Sequence, residues 1–253
     1  MGAQSTIEWT DATWNPVTGC TKISPGCKFC YAERLTDRFG RQRFTDVLLH
    51  PDRLALPLRW RTPKRIFVNS MSDLFHEQVP DTFITQVFDV MMRASQHTFQ
   101  VLTKRPDRLC EWRKSGMWPK SIPAHVWVGV SVESTEYLWR IDRLREVEAP
   151  VRFVSAEPLL GPLTNLDLSG IQWVITGGES GGGSSRSLVE KTKLGLRPKP
   201  EALRWIRHIR DLCARQGVAF FHKQWGGYTP KAGGRMLDGA EWSQYPRKGG
   251  RED

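Results

Sequence analysis

The chain has 253 residues, and 37 basic against 27 acidic side chains give it a formal net charge of +10. No apolar run approaches the ~20 residues of a membrane-spanning helix, and the N-terminus lacks the basic and apolar blocks of a signal peptide. We therefore expect a cytoplasmic protein without membrane contact, whose cysteines stay reduced. The basic surface favours polyanions such as nucleic acid, and a basic protein with no such partner is the alternative.

A cysteine-rich loop follows a short strand-like lead over residues 1–19. Cys20, Cys27 and Cys30 fall within eleven residues of a segment broken by a proline and two glycines, so we expect them on a loop whose thiols converge. A disulfide would leave one thiol unpaired. A closed zinc site needs a fourth ligand, and the nearest histidine, His50, lies twenty residues further on. The spacing favours a metal site with an open position, with structural zinc and unrelated thiols as alternatives.

The segment Cys27-Lys28-Phe29-Cys30, with an aromatic residue before its last cysteine, resembles the second half of the radical S-adenosylmethionine (SAM) signature. This resemblance implies a [4Fe-4S] cluster held by Cys20, Cys27 and Cys30, with SAM on the free iron and an external electron donor. It also implies that Phe29 lies beside the adenine of SAM. Six residues separate Cys20 from Cys27, whereas most members of that family have three.

Apolar strands alternate with helical segments through the rest of the chain. Helices are predicted at 31–39, after Pro80, at 106–114, after the N-cap Ser134 and at 200–216, and strands at 65–70, 98–103, 125–130, 151–155, 171–176 and 218–221. Such alternation indicates βα units and a parallel sheet. We predict an α/β fold, a complete or partial (β/α) barrel of parallel strands of the radical SAM type. It forms one domain over residues 1–232, followed by a C-terminal tail over residues 233–253.

Polar residues or glycines follow each predicted strand directly. They are Ser70, Ser72 and Asp73; Lys104 and Arg105; Ser131 and Glu133; Glu157; Gly177, Gly178 and Glu179; and His222, Lys223, Gln224 and Trp225. The carboxyl ends of parallel strands in a barrel meet at one mouth, where barrel enzymes place their chemistry. We therefore expect these residues to line one site, although each of them could also serve only to form a turn.

Segments spread over nearly the whole chain resemble a phage and bacterial family of radical-SAM-like proteins whose members largely lack an assigned function. The segments are Trp9-Thr10-Asp11, Tyr31-Ala32-Glu33, Met71-Ser72-Asp73-Leu74-Phe75, Leu102-Thr103-Lys104-Arg105-Pro106, Ser155-Ala156-Glu157-Pro158-Leu159-Leu160, Gly177-Gly178-Glu179-Ser180-Gly181 and Lys223-Gln224-Trp225-Gly226. With this resemblance, cofactor contacts are expected at Phe29, Ser70, Ser72, Asp73, Ser131, Glu133, Gly177, Gly178 and Glu179. Catalytic roles are expected for Glu157 and Lys223. Substrate contacts are expected at Lys104, Arg105, Arg186, His222, Gln224 and Trp225.

The basic segment over residues 181–199 is interpreted as a mobile linker, or as a lid that orders on a phosphate-bearing substrate through Arg186. The leading hypothesis is a radical SAM enzyme that abstracts a hydrogen atom from a nucleic acid or nucleotide-like substrate, in base modification or repair. Repair of a thymine photoproduct, as in spore photoproduct lyases, is one version. The alternatives are radical modification of a peptide or small metabolite, with or without a partner protein, and a non-catalytic nucleic-acid-binding module with a structural metal.

Overall fold

The structure, a computed structural model, describes residues 5–39, 42–118, 121–179, 186–193, 195–229 and 231–246. The chain divides into two compact units. Unit 1 comprises Met1–Val130 and Asp142–Arg152, and unit 2 comprises Ser131–Ile141 and Phe153–Asp253. Within the described ranges, every helix is too short or too polar to cross a membrane.

Unit 1 is built on parallel strands. Its strands are β1 (Ala12–Trp14), β2 (Val17–Thr18), β3 (Leu48–Leu49), β4 (Arg65–Val68), β5 (Thr98–Thr103) and β6 (Val126–Ser131), and its helices are α1 (Tyr31–Phe39), α2 (Asp81–Arg93) and α3 (Pro106–Lys114). β1 pairs with β4, β4 with β5 and β5 with β6, all in parallel, while β2 and β3 form a short antiparallel pair. Every residue of β6 is buried, as expected for a strand covered on both faces.

Aromatic packing forms much of the core of unit 1. α2 buries Phe83, Val87 and Met91 at helical spacing, as predicted. The ring of Trp112 on α3 lies with its centroid 4.5 Å from that of Phe88 on α2. Because such rings bury large apolar areas, this contact fixes α2 against α3.

Unit 2 contains the remaining strands and the longest helix. In chain order its elements are α4 (Trp139–Arg145, which continues into unit 1), β7 (Val151–Ala156), β8 (Trp173–Gly177), β9 (Val189–Thr192), β10 (Gly195–Pro198), α5 (Pro200–Gln216), β11 (Ala219–Gln224), β12 (Met236–Leu237) and β13 (Ala240–Glu241). β7 pairs with β8, and β8 with β11, in parallel. α5 ends as predicted at Gly217, whose φ of +66° closes the helix in the left-handed conformation.

The predicted α/β class with parallel strands is confirmed. Seven strands in the described ranges have parallel neighbours, in the order β1-β4-β5-β6 in unit 1 and β7-β8-β11 in unit 2. A complete (β/α) barrel has eight strands. The chain therefore corresponds to the partial form of the predicted barrel.

Two local predictions differ from the structure. The interpretation of residues 181–199 as a linker is wrong for β9 and β10, which pair as an antiparallel hairpin, while residues 180–185 and 194 lie outside the described residues. Ser134 precedes a 3₁₀ turn, Thr135–Tyr137, and its side chain makes no capping hydrogen bond.

Residues 243–245 of the predicted tail pack on β8 and β11. Phe221 on β11 forms an antiparallel bridge with Ser243. The indole N–H of Trp173 donates to the carbonyl of Gln244 at 2.9 Å, and the Tyr245 ring stacks on Trp173 at 5.3 Å. Residues 247–253 of the tail lie outside the described ranges. The boundary at residue 232 stays a prediction.

Candidate functional site

Gly19 opens the cysteine loop, residues 20–30, in a conformation that favours glycine. Its φ is +88°, and a Cβ built on it would lie 2.1 Å from the carbonyl oxygen of Asp46. Its N–H donates to the carbonyl of Met71 at 3.1 Å, and Gly19 forms a parallel bridge with Ser72. The loop therefore begins at a fixed point beside the segment that follows β4.

Cys20 lies at the anchored end of this loop. Its N–H donates to the carbonyl of Phe44 at 2.8 Å, and its side chain is partly buried. Burial, together with the nearby Asp73 carboxylate, raises the pKa of the Cys20 thiol to about 12, although Arg105 opposes this rise. A thiolate at this position therefore requires an added positive charge, such as a metal ion.

Cys27 ends a single 3₁₀ turn, Pro25–Cys27, and ionises more readily than an ordinary cysteine. Its Sγ lies 3.6 Å from the Oγ of Ser24. Burial of the thiol opposes ionisation, but Lys104 and hydrogen bonds from Ser24 and from the backbone at Ile23 outweigh it, so the pKa of Cys27 is lowered.

Cys30 directly precedes α1, and its carbonyl accepts the N–H of Arg34 at 3.2 Å. The neighbouring Phe29 is 42% exposed, and the Nζ of Lys28 lies 5.4 Å from the centre of its ring. An exposed ring beside a cation suits stacking against a nucleobase. The predicted contact of Phe29 with adenine thus stays a prediction that this geometry permits.

The loop cysteines offer a donor set for iron, but their sulfurs do not surround one point in this structure. All five cysteines of the chain are free thiols. Across the described residues, no group of three or more His, Cys, Asp or Glu side chains is close enough to hold a metal ion. Three reduced thiols on one loop fit the chemistry of an iron–sulfur cluster. Ligation by Cys20, Cys27 and Cys30 would require the sulfurs to move together, and it stays a prediction.

Asp73 joins the ends of β4 and β5. Its buried carboxylate accepts the hydroxyl of Thr103 at 2.7 Å and the N–H groups of Lys104 and Phe75, both at 3.0 Å. Both carboxylate oxygens therefore have partners within the chain. A SAM contact at Asp73 would share these oxygens with the backbone.

The hydroxyls of Ser70 and Ser72, the other two residues predicted to contact SAM after β4, also have partners in the chain. Ser70 Oγ donates to the side-chain oxygen of Asn15 at 3.2 Å, and Ser72 Oγ donates to the carbonyl of Val17 at 2.9 Å. These bonds join the end of β4 to the β1–β2 connection. The predicted contacts of Ser70 and Ser72 with SAM stay predictions.

Thr21, next to Cys20, is held by two buried side chains. The guanidinium of Arg105 donates to the Thr21 hydroxyl at 2.8 Å, and the Nε2 of His76 lies 2.9 Å from the same oxygen. The Nδ1 of His76 accepts the N–H of Gln78 at 3.2 Å, so Nε2 carries the proton and donates to Thr21. Sequence reasoning missed Thr21 and His76, because neither belongs to a motif.

In unit 2, Glu157 and Lys223, the predicted catalytic pair, form an ion pair of 3.2 Å between Oε1 and Nζ. The other carboxylate oxygen of Glu157 accepts the hydroxyl of Ser155 at 3.1 Å. The carboxylate packs against Gly177, where an added Cβ would lie 2.7 Å from Oε1. The ends of β7, β8 and β11 therefore meet around one carboxylate.

Two glycines let the ends of β8 and β11 contact each other backbone to backbone. A Cβ on Gly178 would lie 2.0 Å from the carbonyl oxygen of Trp225, and one on Gly226 would lie 2.3 Å from that of Glu179. The N–H of Gly178 donates to the carbonyl of Gln224 at 2.9 Å. The sequence suggested that Gly178 admits a ligand, whereas the structure shows that it admits the chain's own backbone.

Glu133 and Glu179, both predicted to contact the cofactor, are buried in ion pairs. Glu133 Oε2 lies 2.9 Å from the guanidinium of Arg140, which also donates to the carbonyl of Ser131 at 2.9 Å. The carboxylate of Glu179 pairs with Arg186. Arg140 escaped the sequence analysis because it lies within a helix and not at a strand end. The predicted ligand contacts of Ser131, Glu133, Glu179 and Arg186 stay predictions.

His222, Gln224 and Trp225, predicted to contact the substrate, are all buried at the end of β11. The Nδ1 of His222 lies 3.0 Å from the hydroxyl of Thr176. Burial, with a smaller effect of Arg235, lowers the pKa of His222 to about 3, so the ring is neutral at pH 7. Among the described residues, His222 Nε2 and Gln224 Oε1 have no hydrogen-bond partner.

Residues 4–246 match a family described as protein of unknown function (DUF5131). The chain belongs to this family. No curated protein matches the chain. The match spans both units, so the cysteine loop and both groups of strand ends fall within the DUF5131 region.

Solved structures of spore photoproduct lyase, a radical SAM enzyme, share the fold of this DUF5131 chain. In one of them a cysteine-to-alanine mutant is bound to dinucleoside spore photoproduct. It has a TM-score of 0.57 and 11% sequence identity, covering 88% of this chain and 78% of that chain. A second complex with the same dinucleoside has a TM-score of 0.54 and 12% identity over the same shares. At these identities the likeness establishes the fold.

Proposed function

We propose that this DUF5131 protein is a radical SAM enzyme that acts on a nucleic acid or nucleotide-like substrate. The observation that carries the proposal is the cysteine loop, which presents three free thiols in a chain with the fold of a radical SAM enzyme. Cys20, Cys27 and Cys30 hold the [4Fe-4S] cluster in this proposal. When bound, cluster and SAM supply a 5′-deoxyadenosyl radical that removes a hydrogen atom from the substrate.

In this proposal, residues of the chain bind SAM and orient the substrate. Phe29 offers an exposed ring for the adenine of SAM, and Ser70, Ser72 and Asp73 offer oxygens for its amino group. Glu157 Oε1 and Lys223 Nζ hold opposite charges 3.2 Å apart in a mostly buried setting, where they orient polar groups of a substrate more strongly than in water.

A nucleic-acid substrate is favoured by the charge of the β9–β10 hairpin. Lys191 and Arg197 are exposed on its two strands, and Lys193 is exposed at its turn. With a net charge of +10 for the whole chain, such a hairpin attracts phosphate groups. The spore photoproduct lyase structures contain a dinucleoside photoproduct, so a thymine photoproduct is the first substrate to test.

The test is anaerobic reconstitution with iron and sulfide, followed by addition of SAM and dithionite. We expect a broad absorbance near ~400 nm that dithionite bleaches, as is typical of [4Fe-4S] clusters, and release of 5′-deoxyadenosine measured by mass spectrometry. The Cys27→Ala variant should lose both signals. Cys110→Ala, which removes a buried thiol outside the loop, should keep them.

The identity of the substrate is then tested by adding an oligonucleotide that carries spore photoproduct and measuring the recovery of thymine. Binding of stoichiometric zinc and no iron would contradict the proposed enzyme activity. It would favour a non-catalytic nucleic-acid-binding module. Deoxyadenosine release without thymine recovery would favour a peptide or metabolite substrate.

A further inference from the structure

Arg105 is one of the most deeply buried charged side chains of unit 1, although it lies directly before α3. Its residue exposure is 6%. Its guanidinium donates to both oxygens of Thr21, at 2.8 Å to the hydroxyl and 3.3 Å to the carbonyl. Burial of a guanidinium is unfavourable unless carboxylates and hydrogen bonds compensate for it.

Two carboxylates provide that compensation. Glu77 accepts the Nε of Arg105 at 3.1 Å, and Asp73 lies 4.0 Å from the guanidinium. Asp73 is itself fixed by the hydroxyl of Thr103 and the N–H of Lys104. The contacts at the end of β5 thus set the position of the guanidinium, and Thr21 is hydrogen-bonded to the guanidinium.

Thr21 directly follows Cys20 in the cysteine loop. His76 donates to the same hydroxyl that Arg105 contacts, so two side chains from different strand ends hold one loop residue. The Cys20 thiol and the guanidinium of Arg105 also donate to the same carbonyl oxygen, that of Thr21, at 3.5 Å and 3.3 Å. The positive charge therefore lies close to the Cys20 sulfur.

We infer that Arg105 is a positioning residue of the cysteine loop, which fixes the Cys20 end through Thr21 and places a permanent positive charge beside the Cys20 sulfur. Arg105 then serves the metal centre and not the substrate. This inference rests on the proposed function only where it concerns the reduced cluster.

The charge has a definite consequence for reduction. When one electron passes from the reductant to the cluster, the cluster becomes more negative by one unit, and a fixed cation nearby stabilises that state. Loss of the Arg105 charge should therefore shift the reduction potential of the cluster to a more negative value. Loss of the contact with Thr21 alone should loosen the loop and leave the potential nearly unchanged.

Three variants separate the two effects. Arg105→Gln removes charge and contact, Arg105→Lys keeps the charge but loses the planar fork of donors, and Thr21→Val removes the hydroxyl while keeping the shape of the side chain. Arg108→Gln is the matched control. Arg108 also lies at the start of α3, but its guanidinium pairs with Asp81 on α2. Circular dichroism confirms that each variant is folded before it is compared.

The first readout is amide hydrogen exchange of the peptide over residues 19–30 in the metal-free protein. We expect exchange to accelerate about tenfold in Arg105→Gln and Thr21→Val, the effect of losing a charge-assisted hydrogen bond, and not in Arg108→Gln. Because no cluster is needed, this readout stands even if the proposed enzyme activity fails. Unchanged exchange in both loop variants would overturn the inference.

The second readout is the reduction potential of the reconstituted cluster, followed by electron paramagnetic resonance during a dithionite titration. The potential should be more negative in Arg105→Gln, and close to that of the wild type in Arg105→Lys, Thr21→Val and Arg108→Gln. An unshifted potential in Arg105→Gln would show that the charge does not act on the cluster and would overturn that half of the inference.

Discussion

Two groups of strand-end side chains, one in each unit, differ in how fully their buried polar atoms are paired. In unit 1, Asp73 accepts from Thr103 and Lys104, and Arg105 donates to Glu77 and to Thr21 of the cysteine loop. In unit 2, His222 Nε2 and Gln224 Oε1 are buried without a hydrogen-bond partner in the described part of the chain, as is the amide nitrogen of Asn69 after β4. Because unpaired buried polar atoms are rare, the Asp73–Arg105 group acts as a scaffold, and the His222–Gln224 region retains capacity to bind a water molecule or a ligand.

The largest effect should come from a fully buried ion pair of unit 2. Replacing Arg140 by Met removes the guanidinium that lies 2.9 Å from the Glu133 carboxylate, which is 0% exposed. We expect a loss of about 3–5 kcal/mol in the free energy of unfolding, measured by urea titration. The double variant Glu133→Gln with Arg140→Met should recover most of this loss. A single-variant loss below about 1 kcal/mol would mean that Glu133 is not dependent on Arg140.

A smaller effect compares the two regions directly. Asp73→Asn replaces one carboxylate oxygen by an NH₂ group, so either the N–H of Lys104 or the hydroxyl of Thr103 loses its acceptor. We expect a loss of about 1–3 kcal/mol in the free energy of unfolding. Gln224→Met removes an amide whose oxygen has no partner and whose nitrogen donates to the carbonyl of Gly178 over a long 3.4 Å, and the loss should stay below about 1 kcal/mol. Equal losses in the two variants, measured in the same urea titrations, would remove the distinction between scaffold and binding region.

The smallest effect concerns the pH dependence of stability. Burial holds the pKa of His222 at about 3 in the folded chain, whereas an unfolded histidine titrates near ~6.5. Between these values the unfolded chain binds more protons, so this contribution to stability is complete above pH ~6.5 and is lost as the pH falls towards ~3. At pH ~6 the expected loss is about 0.8 kcal/mol relative to pH ~8.

The variant His222→Phe tests whether His222 causes this loss of stability at lower pH. It lacks the titrating ring, so its stability should change less than that of the wild type between pH ~8 and ~6, while His76 and His97 contribute equally to both proteins. Parallel pH profiles for the two proteins would show that His222 takes up its proton as readily in the folded chain as in the unfolded chain, and would contradict its lowered pKa.

The fold was predictable because its signals are local. The apolar spacing of α2, Pro106 at the start of α3 and Gly217 after α5 each mark an element by the chemistry of a few neighbouring residues. The β9–β10 hairpin was missed because its residues are polar and half-exposed, without the apolar alternation that marks a strand.

The candidate site was predictable only as a set of positions. The parallel topology predicts which residues stand at strand ends. Within unit 1 Asp73 contacts the end of β5, and within unit 2 Glu157 contacts the end of β11. What each one contacts depends on residues distant in sequence: Asp73 on Thr103, and Glu133 on a helix residue, Arg140. No spacing rule encodes such partners. The sequence therefore does not tell which carboxylates are already paired within the chain.

The backbone contact between Gly178 and Gly226 gives a filter for sorting related sequences. A side chain as small as alanine at either position would overlap a carbonyl oxygen, and nothing flexible stands there to yield. Any relative that carries a larger residue at one of these positions must have rebuilt both turns. Its assignment to the same biochemical group would then need evidence beyond overall similarity.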